Sequence, residues 1–336
     1  LGFNVYKDVY TVKVYYKFKG SDKLYGPVEG TVVWDTFTDQ PQHRYIYLGV
    51  RPPPEATGED WSVAQTKIFP TRIWNLKLTI VDQSAAARPI AGAMVTVGDL
   101  GTLETAADGS VSLSKAPAGV YSMSASWQNT YNPEAVEISK STIPLQATVD
   151  LIVPATVYDA ELQLVSPSGK PISGAEMSLA GIALGMTGAD GKVVAPQVPS
   201  KHTETDAAYP VTAMWLGVDV SPGPVTITSS RTYILTATNV ATLTVQAVGA
   251  QGQGLSAAQV DIKNSAGTTV FSGVTNEQGI VNVEVPYDTY SVAVDYKGFT
   301  NTATSTVSSA APAPTKIATN VFIEIFGQAM TFATFV

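Results

Sequence analysis

Hydrophobic and polar residues alternate along three stretches of the chain, and each stretch opens one copy of a repeat. In the middle copy, residues 160–193, the apolar positions of this alternation are Leu162, Leu164, Met177 and Leu179. A period of two is typical of a half-buried β-strand. Turn residues interrupt the pattern at 168–171 (Ser-Gly-Lys-Pro) and at Asp190-Gly191. The stretch is therefore predicted to form strand, turn, strand, turn and strand.

The three copies follow one another at nearly constant spacing. Their equivalent segments begin, in chain order, at Ile90, Ile172 and Leu255. The closing turns at Asp108 and Asp190 keep the same spacing, whereas the third turn comes later because residues 264–269 lengthen its hairpin. A period of about 80 residues exceeds that of a solenoid unit. It fits a β-sandwich of about 100 residues or fewer.

Each copy continues with another turn and further strands. Turns that contain proline and tyrosine precede the next strand at 117–121, 199–211 and 286–290. A last apolar strand is predicted to close each module, at 148–153, 232–238 and 320–326. The joints at 154–156 and 237–240 are short, and short joints without glycine-serine tracts favour a stiff array in which neighbouring modules touch.

A family resemblance rests on the residues that recur between the strands. The middle copy carries Gly169, Pro171, Ile172, Gly174, Ala175, Thr187, Asp190 and Gly191. The first copy keeps Pro89, Ile90, Gly92, Ala93, Thr105, Asp108, Gly109, Gly119 and Tyr121. The third departs from the pattern, with Leu255, Ala257 and Gln278 at three of these positions. Over about residues 76–326 the chain resembles the carboxypeptidase regulatory-like and collagen-adhesin B-type modules. That resemblance implies transthyretin-like β-sandwiches and says little about activity, because such modules serve as spacers, adhesin stalks and accessory domains.

The predicted fold class is all-β, a tandem array of small Ig-like or transthyretin-like β-sandwiches. We expect an aromatic-rich β-domain or partial sandwich at 1–75, sandwich repeats at 76–155, 156–240 and 241–326, and an apolar tail at 327–336.

The segment 1–75 holds 14 of the 30 aromatic side chains and 9 of the 20 lysines and arginines. Two hypotheses explain this mixture. It forms a surface that binds sugars or a partner, or it reflects strands with one core face and one solvent face. The candidate contacts of a binding surface are Tyr15, Tyr16, Trp34, Tyr45, Tyr47 and Trp61.

Composition narrows the class of protein. Only 14% of the residues are charged and the net charge is −8, which disfavours nucleic-acid binding, since contacts to phosphates need clustered lysine and arginine. The absence of cysteine removes disulfides, thiolate catalysis and cysteine-based zinc sites. The amino-acid composition, rich in Thr, Ser, Ala, Val and Gly, is typical of extracellular β-proteins. It resembles that of large membrane-anchored surface proteins of thermophilic archaea.

The sequence carries no catalytic signature, and we expect no enzyme and no required cofactor. The two histidines, His43 and His202, lie in polar loop-like segments, and no Gly-x-Ser-x-Gly elbow accompanies them. Calcium has candidate ligands near the inter-strand loops, namely Asp99, Glu104, Asp108 and Asp190. Turn geometry alone explains an aspartate before glycine, however. A Lys–Asp isopeptide bond, known in related modules, has the candidate pair Lys77 and Asp150, but no apolar-flanked glutamate is present to catalyse it.

The end of the chain has three alternative interpretations. Twelve uncharged residues follow Glu324, which is short of the roughly 20 that span a bilayer. They are either the start of a membrane anchor or a last strand with its tail. A third hypothesis makes this region a donor strand that completes the sheet of a neighbouring subunit. The candidate segment comprises Val321, Phe322, Ile323, Ile325 and Phe326, with residues 9–18 as a second candidate.

These observations favour a structural role. The leading hypothesis is a non-enzymatic rod of β-sandwiches on the outside of a prokaryotic cell, in a surface layer, a stalk or a filament. Its partners would be copies of itself or other surface-layer proteins. The alternatives are an adhesin or carbohydrate-binding segment that uses the aromatic-rich segment 1–75, and an accessory region of a larger enzyme.

Overall fold

The computed structural model of the protein describes residues 8–34 and 72–336. They form an all-β architecture of small β-sandwiches. Before the first sandwich lies an antiparallel hairpin of β1 (Asp8–Lys17) and β2 (Leu24–Trp34), whose register shifts between Val14 and Tyr16. Alternation of apolar and polar residues predicts strands at 9–18, 31–37 and 44–50. β1 confirms the first and β2 contains the start of the second, whereas residues 35–37 and 44–50 lie outside the described residues.

The first sandwich packs a three-stranded sheet, in the order β6-β3-β9, against a four-stranded sheet, in the order β5-β4-β7-β8. Its strands are β3 (Ile73–Val81), β4 (Met94–Val97), β5 (Gly101–Glu104), β6 (Ser110–Pro117), β7 (Gly119–Asn129), β8 (Asn132–Leu145) and β9 (Val149–Pro154).

The second sandwich repeats this arrangement with the sheets β13-β10-β18 and β12-β11-β15-β16, and β14 and β17 add a short pair. Its strands are β10 (Val157–Val165), β11 (Glu176–Leu179), β12 (Ile182–Met186), β13 (Lys192–Pro199), β14 (Ala208–Tyr209), β15 (Val211–Trp215), β16 (Val218–Asp219), β17 (Val225–Thr226) and β18 (Arg231–Thr236).

The third sandwich has the sheets β22-β19-β25 and β21-β20-β23-β24. Its strands are β19 (Val240–Val248), β20 (Gln259–Lys263), β21 (Thr269–Val274), β22 (Ile280–Pro286), β23 (Asp288–Tyr296), β24 (Phe299–Val307) and β25 (Thr315–Ala318). A small hairpin of β26 (Ile323–Ile325) and β27 (Gln328–Met330) follows, and then the short helix α1 (Phe332–Phe335).

In every sandwich the first strand is central in its sheet and pairs in parallel with the last. Leu76–Val81 pairs with Val149–Pro154, Ala160–Val165 with Arg231–Thr236, and Val245–Val248 with Thr315–Ala318. The side chains of β10 and β19 follow the same alternation of buried and half-buried positions. Period two therefore places one side of each opening strand in a core, as the sequence predicts.

Three buried threonines account for part of the repeated sequence motif. The hydroxyl of Thr187 donates to the carbonyl of Ile172 at 2.7 Å and accepts from the N–H of Ala175 at 3.0 Å. Thr105 makes the same pair of bonds in the first sandwich and Thr275 in the third. Each hydroxyl satisfies two main-chain groups at the turn before the second strand, which burial would otherwise leave unpaired.

The glycine of each closing turn is required by a close approach of the main chain. Gly191 has φ +75°, and a Cβ placed there would lie 2.6 Å from the carbonyl oxygen of Leu164. Gly109 and Gly279 stand in the same relation to Ile80 and Ala247. Only a residue without a side chain fits between the turn and the opening strand.

One predicted strand is placed differently by the structure. The sequence predicts that residues 320–326 close the third sandwich, but the parallel partner of β19 is β25. Residues 323–325 pair instead with β27 across the two-residue turn Phe326-Gly327, in which both residues have positive φ. Such a turn folds the strand back on itself. Apolar alternation is common to both positions, so it does not distinguish a strand inside a sheet from an added hairpin.

The chain divides into two compact units. Unit 1 comprises the described residues up to Val81, Pro89–Ser126 and Ser139–Pro154, and unit 2 comprises Asp82–Arg88, Trp127–Ile138 and Ala155–Val336. The second and third sandwiches thus belong to one unit, together with two segments from the sequence of the first repeat. The module boundaries at 75, 155, 240 and 326 stay a prediction.

Candidate functional site

The joint between the second and third sandwiches is built from consecutive residues that enter different cores. Val240 is buried in the core of the second sandwich, and Ala241 is buried in the core of the third. Because neighbouring residues of a strand point to opposite sides, β19 begins inside one sandwich and continues in the next. The joint therefore contains no flexible tether.

Hydrogen bonds fix the main chain at this joint. Asn239 has φ +54°, and its amide donates to the carbonyl of Asp219 at 3.0 Å. Its own carbonyl accepts from the N–H of Tyr287 at 2.8 Å. The hydroxyl of Thr238 donates to the carbonyl of Ser221 at 2.8 Å. Asparagine suits this position, since it adopts the left-handed conformation more readily than other residues with a side chain.

Glu284 adds a polar cluster beside the same joint. Its Oε1 accepts from the hydroxyls of Ser168 at 2.9 Å and Thr242 at 2.8 Å, and the ammonium of Lys170 lies 3.4 Å away. Only 11% of the glutamate side chain is exposed. Ser168 and Lys170 come from the second sandwich and Thr242 from the third, so one carboxylate holds groups of both.

A buried charge cluster organises the segment Asp82–Arg88 within unit 2. Asp82 is 2% exposed and accepts from Ser84, from the N–H and Nε of Arg88, and from the side-chain amide of Gln197. Arg88 also binds the carboxylate of Asp159. Burial alone raises the pKa of Asp82, but the hydrogen bonds from Ser84 and Arg88 outweigh burial and lower this pKa below its ordinary value.

Residues 127–138, the tip of the β7–β8 hairpin, are the second segment of the first repeat that belongs to unit 2. Tyr131 belongs to the core of the second sandwich. The side-chain amide of Asn132 donates to the carbonyls of Lys201 and His202, and the hydroxyl of Tyr209 donates to the carbonyl of Pro199. The loop that carries His202 thus binds the hairpin tip through main-chain carbonyls. The imidazole of His202 packs with its centroid 4.8 Å from that of the Tyr209 ring.

In unit 1 a cleft lies between the N-terminal hairpin and the first sandwich. It has a volume of about 590 Å³ and is lined in part by Tyr16, Tyr25, Glu29, Arg72 and Pro117. The hydroxyl of Tyr16 donates to the carbonyl of Lys115 at 2.9 Å, and Lys23 pairs with Asp99 at 2.6 Å. These two polar contacts attach the hairpin to the first sandwich.

The predicted aromatic surface is only partly described. Tyr15 is 50% exposed and Tyr16 half-buried, and as neighbours on β1 they project to opposite faces of the hairpin. They do not form one stacking surface. The backbone of Trp34 ends β2, whereas Tyr45, Tyr47 and Trp61 lie outside the described residues.

The predicted donor segment is held by its own chain. Val321 is buried in the core of the third sandwich, and its carbonyl accepts from the N–H of Ala250 at 2.7 Å. Lys297 and Tyr296 both bind the carboxylate of Glu324. Phe322 packs against the rings of Phe332 and Phe335, Ile323 and Ile325 are half-buried, and Phe326 is fully exposed at the turn. Over the described ranges, none of the helices has the length and apolarity to cross a membrane.

Two of the calcium candidates, Asp108 and Asp190, serve local structure, and Asp99 pairs with Lys23 of the N-terminal hairpin. Asp108 accepts from the N–H and hydroxyl of Ser110, and Asp190 accepts from the N–H of Lys192. Within 8–34 and 72–336 no group of three or more potential ligands is placed to hold a metal ion. Lys77 and Asp150 are 3.7 Å apart and 45% and 64% exposed, so this candidate isopeptide pair is a surface ion pair. His43 lies outside the described residues.

Sequence reasoning missed the Asp82 cluster and the Glu284 cluster. The partners of Arg88 and Glu284 are 71 and 116 residues away along the chain, and no local pattern connects them. One signal was present, since Asp82 directly follows the buried end of β3. A carboxylate at that place needs partners.

Comparisons with known proteins give structural neighbours only. No family model matches the chain, and no curated protein matches it. Among solved structures it is similar to the Bacillus anthracis TIE protein, with 18% identity and a TM-score of 0.24, over 74% of this chain and 51% of that one. It is also similar to BcpA, the major pilin subunit of Bacillus cereus, with 11% identity and a TM-score of 0.23, over 74% and 99% of the two chains.

A third neighbour is the shaft pilin SpaA from Lactobacillus rhamnosus GG, with 10% identity and a TM-score of 0.27, over 49% of this chain and 97% of that one. The chain spans about half the length of the TIE protein. At these identities and TM-scores the similarities do not assign a function.

Proposed function

We propose that this chain is a non-enzymatic structural segment of a prokaryotic cell-surface protein, in which tandem β-sandwiches form a stiff spacer. The observation that carries the proposal is the joint at Val240 and Ala241, where one strand enters two cores. A spacer must hold its modules at fixed separation, and a strand shared between two cores supports that role. A spacer of this kind can serve in a surface layer, a stalk or a filament. The resemblance of the amino-acid composition to that of archaeal surface proteins favours the surface layer.

The stiffness of the joint is tested by a distance measurement between spin labels. The chain has no cysteine, so Thr212→Cys in the second sandwich and Thr269→Cys in the third, both exposed, give two unique sites. We expect a single narrow distance distribution. As a matched control, a Gly-Ser-Gly-Ser insertion after Asn239 should broaden it. A broad distribution without the insertion would contradict the proposal.

The location is tested separately on the cells that produce the protein. Antibodies against unit 2 should label intact cells, and mild protease treatment of intact cells should remove the label. Labelling only after the cells are opened would exclude a surface role, whatever the stiffness of the joint.

A second candidate function is the binding of a sugar or peptide by the cleft of unit 1. The cleft combines the aromatic rings of Tyr16 and Tyr25 with the charges of Glu29 and Arg72, a mixture found in recognition sites. A glycan array with the full chain, repeated with Tyr16→Ala, tests this. Binding that persists unchanged in the variant would rule out the cleft.

A further inference from the structure

The edge of the third sandwich formed by β24 is unusual in its regularity. β24 occupies the end of the sheet β21-β20-β23-β24 and pairs with β23 over nine consecutive residues, from Asp288 opposite Val307 to Tyr296 opposite Phe299. No register shift interrupts the pairing. In the part of the chain that the structure describes, β23 is the single strand paired with β24.

The register shows which main-chain groups point outward. The turn Lys297-Gly298 has two residues, so Tyr296 and Phe299 form a hydrogen-bonded pair, and such pairs alternate along an antiparallel ladder. The odd-numbered residues of β24 therefore bond to β23. The even-numbered residues direct their N–H and C=O groups to the open edge, and they are Thr300, Thr302, Thr304 and Thr306.

Those four threonines also share one side-chain face. All four side chains are exposed, whereas the alternating residues Ser305 and Val307 are buried. The main-chain N–H of Thr302 is bonded to the side chain of Asn301 at 2.8 Å, a local bond that a partner strand can replace. β24 thus presents threonine side chains on one face of the sheet and a row of main-chain groups at the open edge.

This edge lacks the charges, prolines and bulges that usually protect an edge strand. Side chains on its inner face do contact β25, since the amide of Asn301 donates to the carbonyl of Ala318 and the hydroxyl of Thr315 donates to that of Ser305. Natural edge strands carry charges, prolines or bulges, or are short. The strands in the equivalent position follow this rule, since β8 contains Pro133, Glu134 and Glu137, and β16 has two residues, Val218–Asp219. β24 has nine residues and contains neither a charge nor a proline.

The sequence of β24 is nearly symmetric about its centre. Around Ala303, Thr302 is matched by Thr304, Asn301 by Ser305, Thr300 by Thr306 and Phe299 by Val307. We propose that β24 pairs antiparallel, edge to edge, with β24 of a second copy of this chain, about a two-fold axis at Ala303. Two four-stranded sheets then become one continuous sheet across the dimer.

The outward hydrogen bonds agree with this axis. Thr302 lies opposite Thr304 of the partner subunit, and Thr300 lies opposite Thr306 of the partner subunit, so every hydrogen-bonded pair joins two residues with outward-directed groups. Threonine pairs across antiparallel strands are favourable, and no like charges meet. A self-complementary patch related by a two-fold axis is the usual form of a dimer interface.

The main test is the association state of the full chain by sedimentation velocity over a concentration series. We expect a reversible dimer. Thr302→Lys with Thr304→Lys should raise the dissociation constant about tenfold or more, because like charges then face each other across the axis. Thr302→Lys with Thr304→Glu should restore the dimer, because the introduced lysine then faces the glutamate introduced at position 304 of the partner subunit.

A covalent readout checks the register. Ala303 faces its own equivalent at a non-hydrogen-bonded position, where Cα atoms lie about 4.5 Å apart, within the range of a disulfide. We expect Ala303→Cys to form a dimer under mild oxidation and the control Asn301→Cys not to. Circular dichroism and melting curves confirm that each variant is folded.

Three results would overturn the proposal. They are a wild type that stays monomeric at about 100 µM, where a dimer with a dissociation constant of about 10 µM would predominate, a double-lysine variant that associates like the wild type, and cross-linking at 301 in place of 303. The inference does not depend on the proposed function, because it rests on one strand edge. Its failure would leave the spin-label and surface-labelling tests unaffected.

Discussion

At the scale of single residues, the threonine hydroxyls have a measurable role. Thr187→Val keeps the shape of the side chain but leaves the N–H of Ala175 and the carbonyl of Ile172 buried without a partner. We expect the free energy of unfolding to fall by about 1–3 kcal/mol. Urea unfolding measures it, and the exposed Thr236→Val is the matched control, which should change little. Equal effects of the two variants would contradict the role of the hydroxyl.

Substitution of two glycines by alanine distinguishes the cost of a positive φ from the cost of a steric clash. Gly191 and Gly169 have φ of +75° and +83°, but an added Cβ meets the carbonyl of Leu164 at 2.6 Å in the first case and nothing within 4 Å in the second. Gly169→Ala should cost about 1 kcal/mol through its conformation alone, and Gly191→Ala should cost clearly more. Thermal melting compares them, and similar losses would refute the steric argument.

Buried tyrosines make the protein sensitive to alkali. Burial raises the pKa of Tyr121 to about 12, and Tyr25 and Asp99 act in the same direction. Its hydroxyl donates to the carbonyl of Pro117 at 2.8 Å. Between about pH 10 and 12 the unfolded chain releases this proton and the folded chain keeps it, so the free energy of unfolding falls as the pH rises.

The comparison of urea unfolding at about pH 9 and about pH 11 tests this expectation. Tyr121→Phe has no proton to lose, so it should show a smaller decrease between the two pH values than the wild type. The same decrease in both proteins would assign the alkaline sensitivity to other groups. Tyr209 and Tyr290, whose pKa values burial also raises, would be the next to vary.

At the scale of elements, the segment Asp82–Arg88 depends on one carboxylate. Asp82→Asn removes the charge that Arg88 and Gln197 share and should lower the free energy of unfolding of unit 2 by about 1–3 kcal/mol. Because the pKa of Asp82 is lowered, its contribution is present at neutral pH and lost as the pH falls below the ordinary aspartate value.

Acid titration of the unfolding free energy therefore distinguishes this variant from a control. Asp82→Asn should show a weaker loss of stability in acid than the wild type. The exposed Glu277→Gln should behave as the wild type does. If both variants follow the wild-type curve, the cluster contributes nothing to stability.

Most strands were predictable because each opening strand has one side in a core and one side toward solvent. Period two then appears in the sequence, as in β10 and β19. Turns separate the strands, with Asp-Gly in the first two repeats and Gln-Gly in the third. The closing strand of the third sandwich was not predictable in this way. β25 has four residues and contains Lys316, so it carries a weaker apolar signal than residues 320–326, which fold back as a hairpin.

The candidate sites were less accessible to sequence reasoning. Period two on β1 implies that Tyr15 and Tyr16 face opposite sides of the strand, so the sequence alone argues against one surface that contains both rings. The row of threonines in β24 is also visible in the sequence. What makes it a site is its position at the end of a sheet, and strand order depends on contacts between distant parts of the chain.

At the scale of the whole molecule, the three sandwiches share several structural residues, and the third departs from the other two at one glycine position. The buried threonine and the turn glycine persist in all three sandwiches. The glycine at 92 and 174 becomes Ala257 in the third, which keeps the positive φ at +57°. The backbone geometry is therefore maintained even where the residue type that favours it is lost, at a conformational cost.

The parallel pairing of first and last strands has a mechanical consequence. When the two ends of a sandwich are pulled apart, parallel neighbours slide lengthwise, so their hydrogen bonds resist together in shear and do not open one after another. Six residue pairs join β3 to β9, and six join β10 to β18, but only four join β19 to β25. Under tension in single-molecule stretching, we expect the third sandwich to yield at the lowest force and to act as the extensible element of the chain.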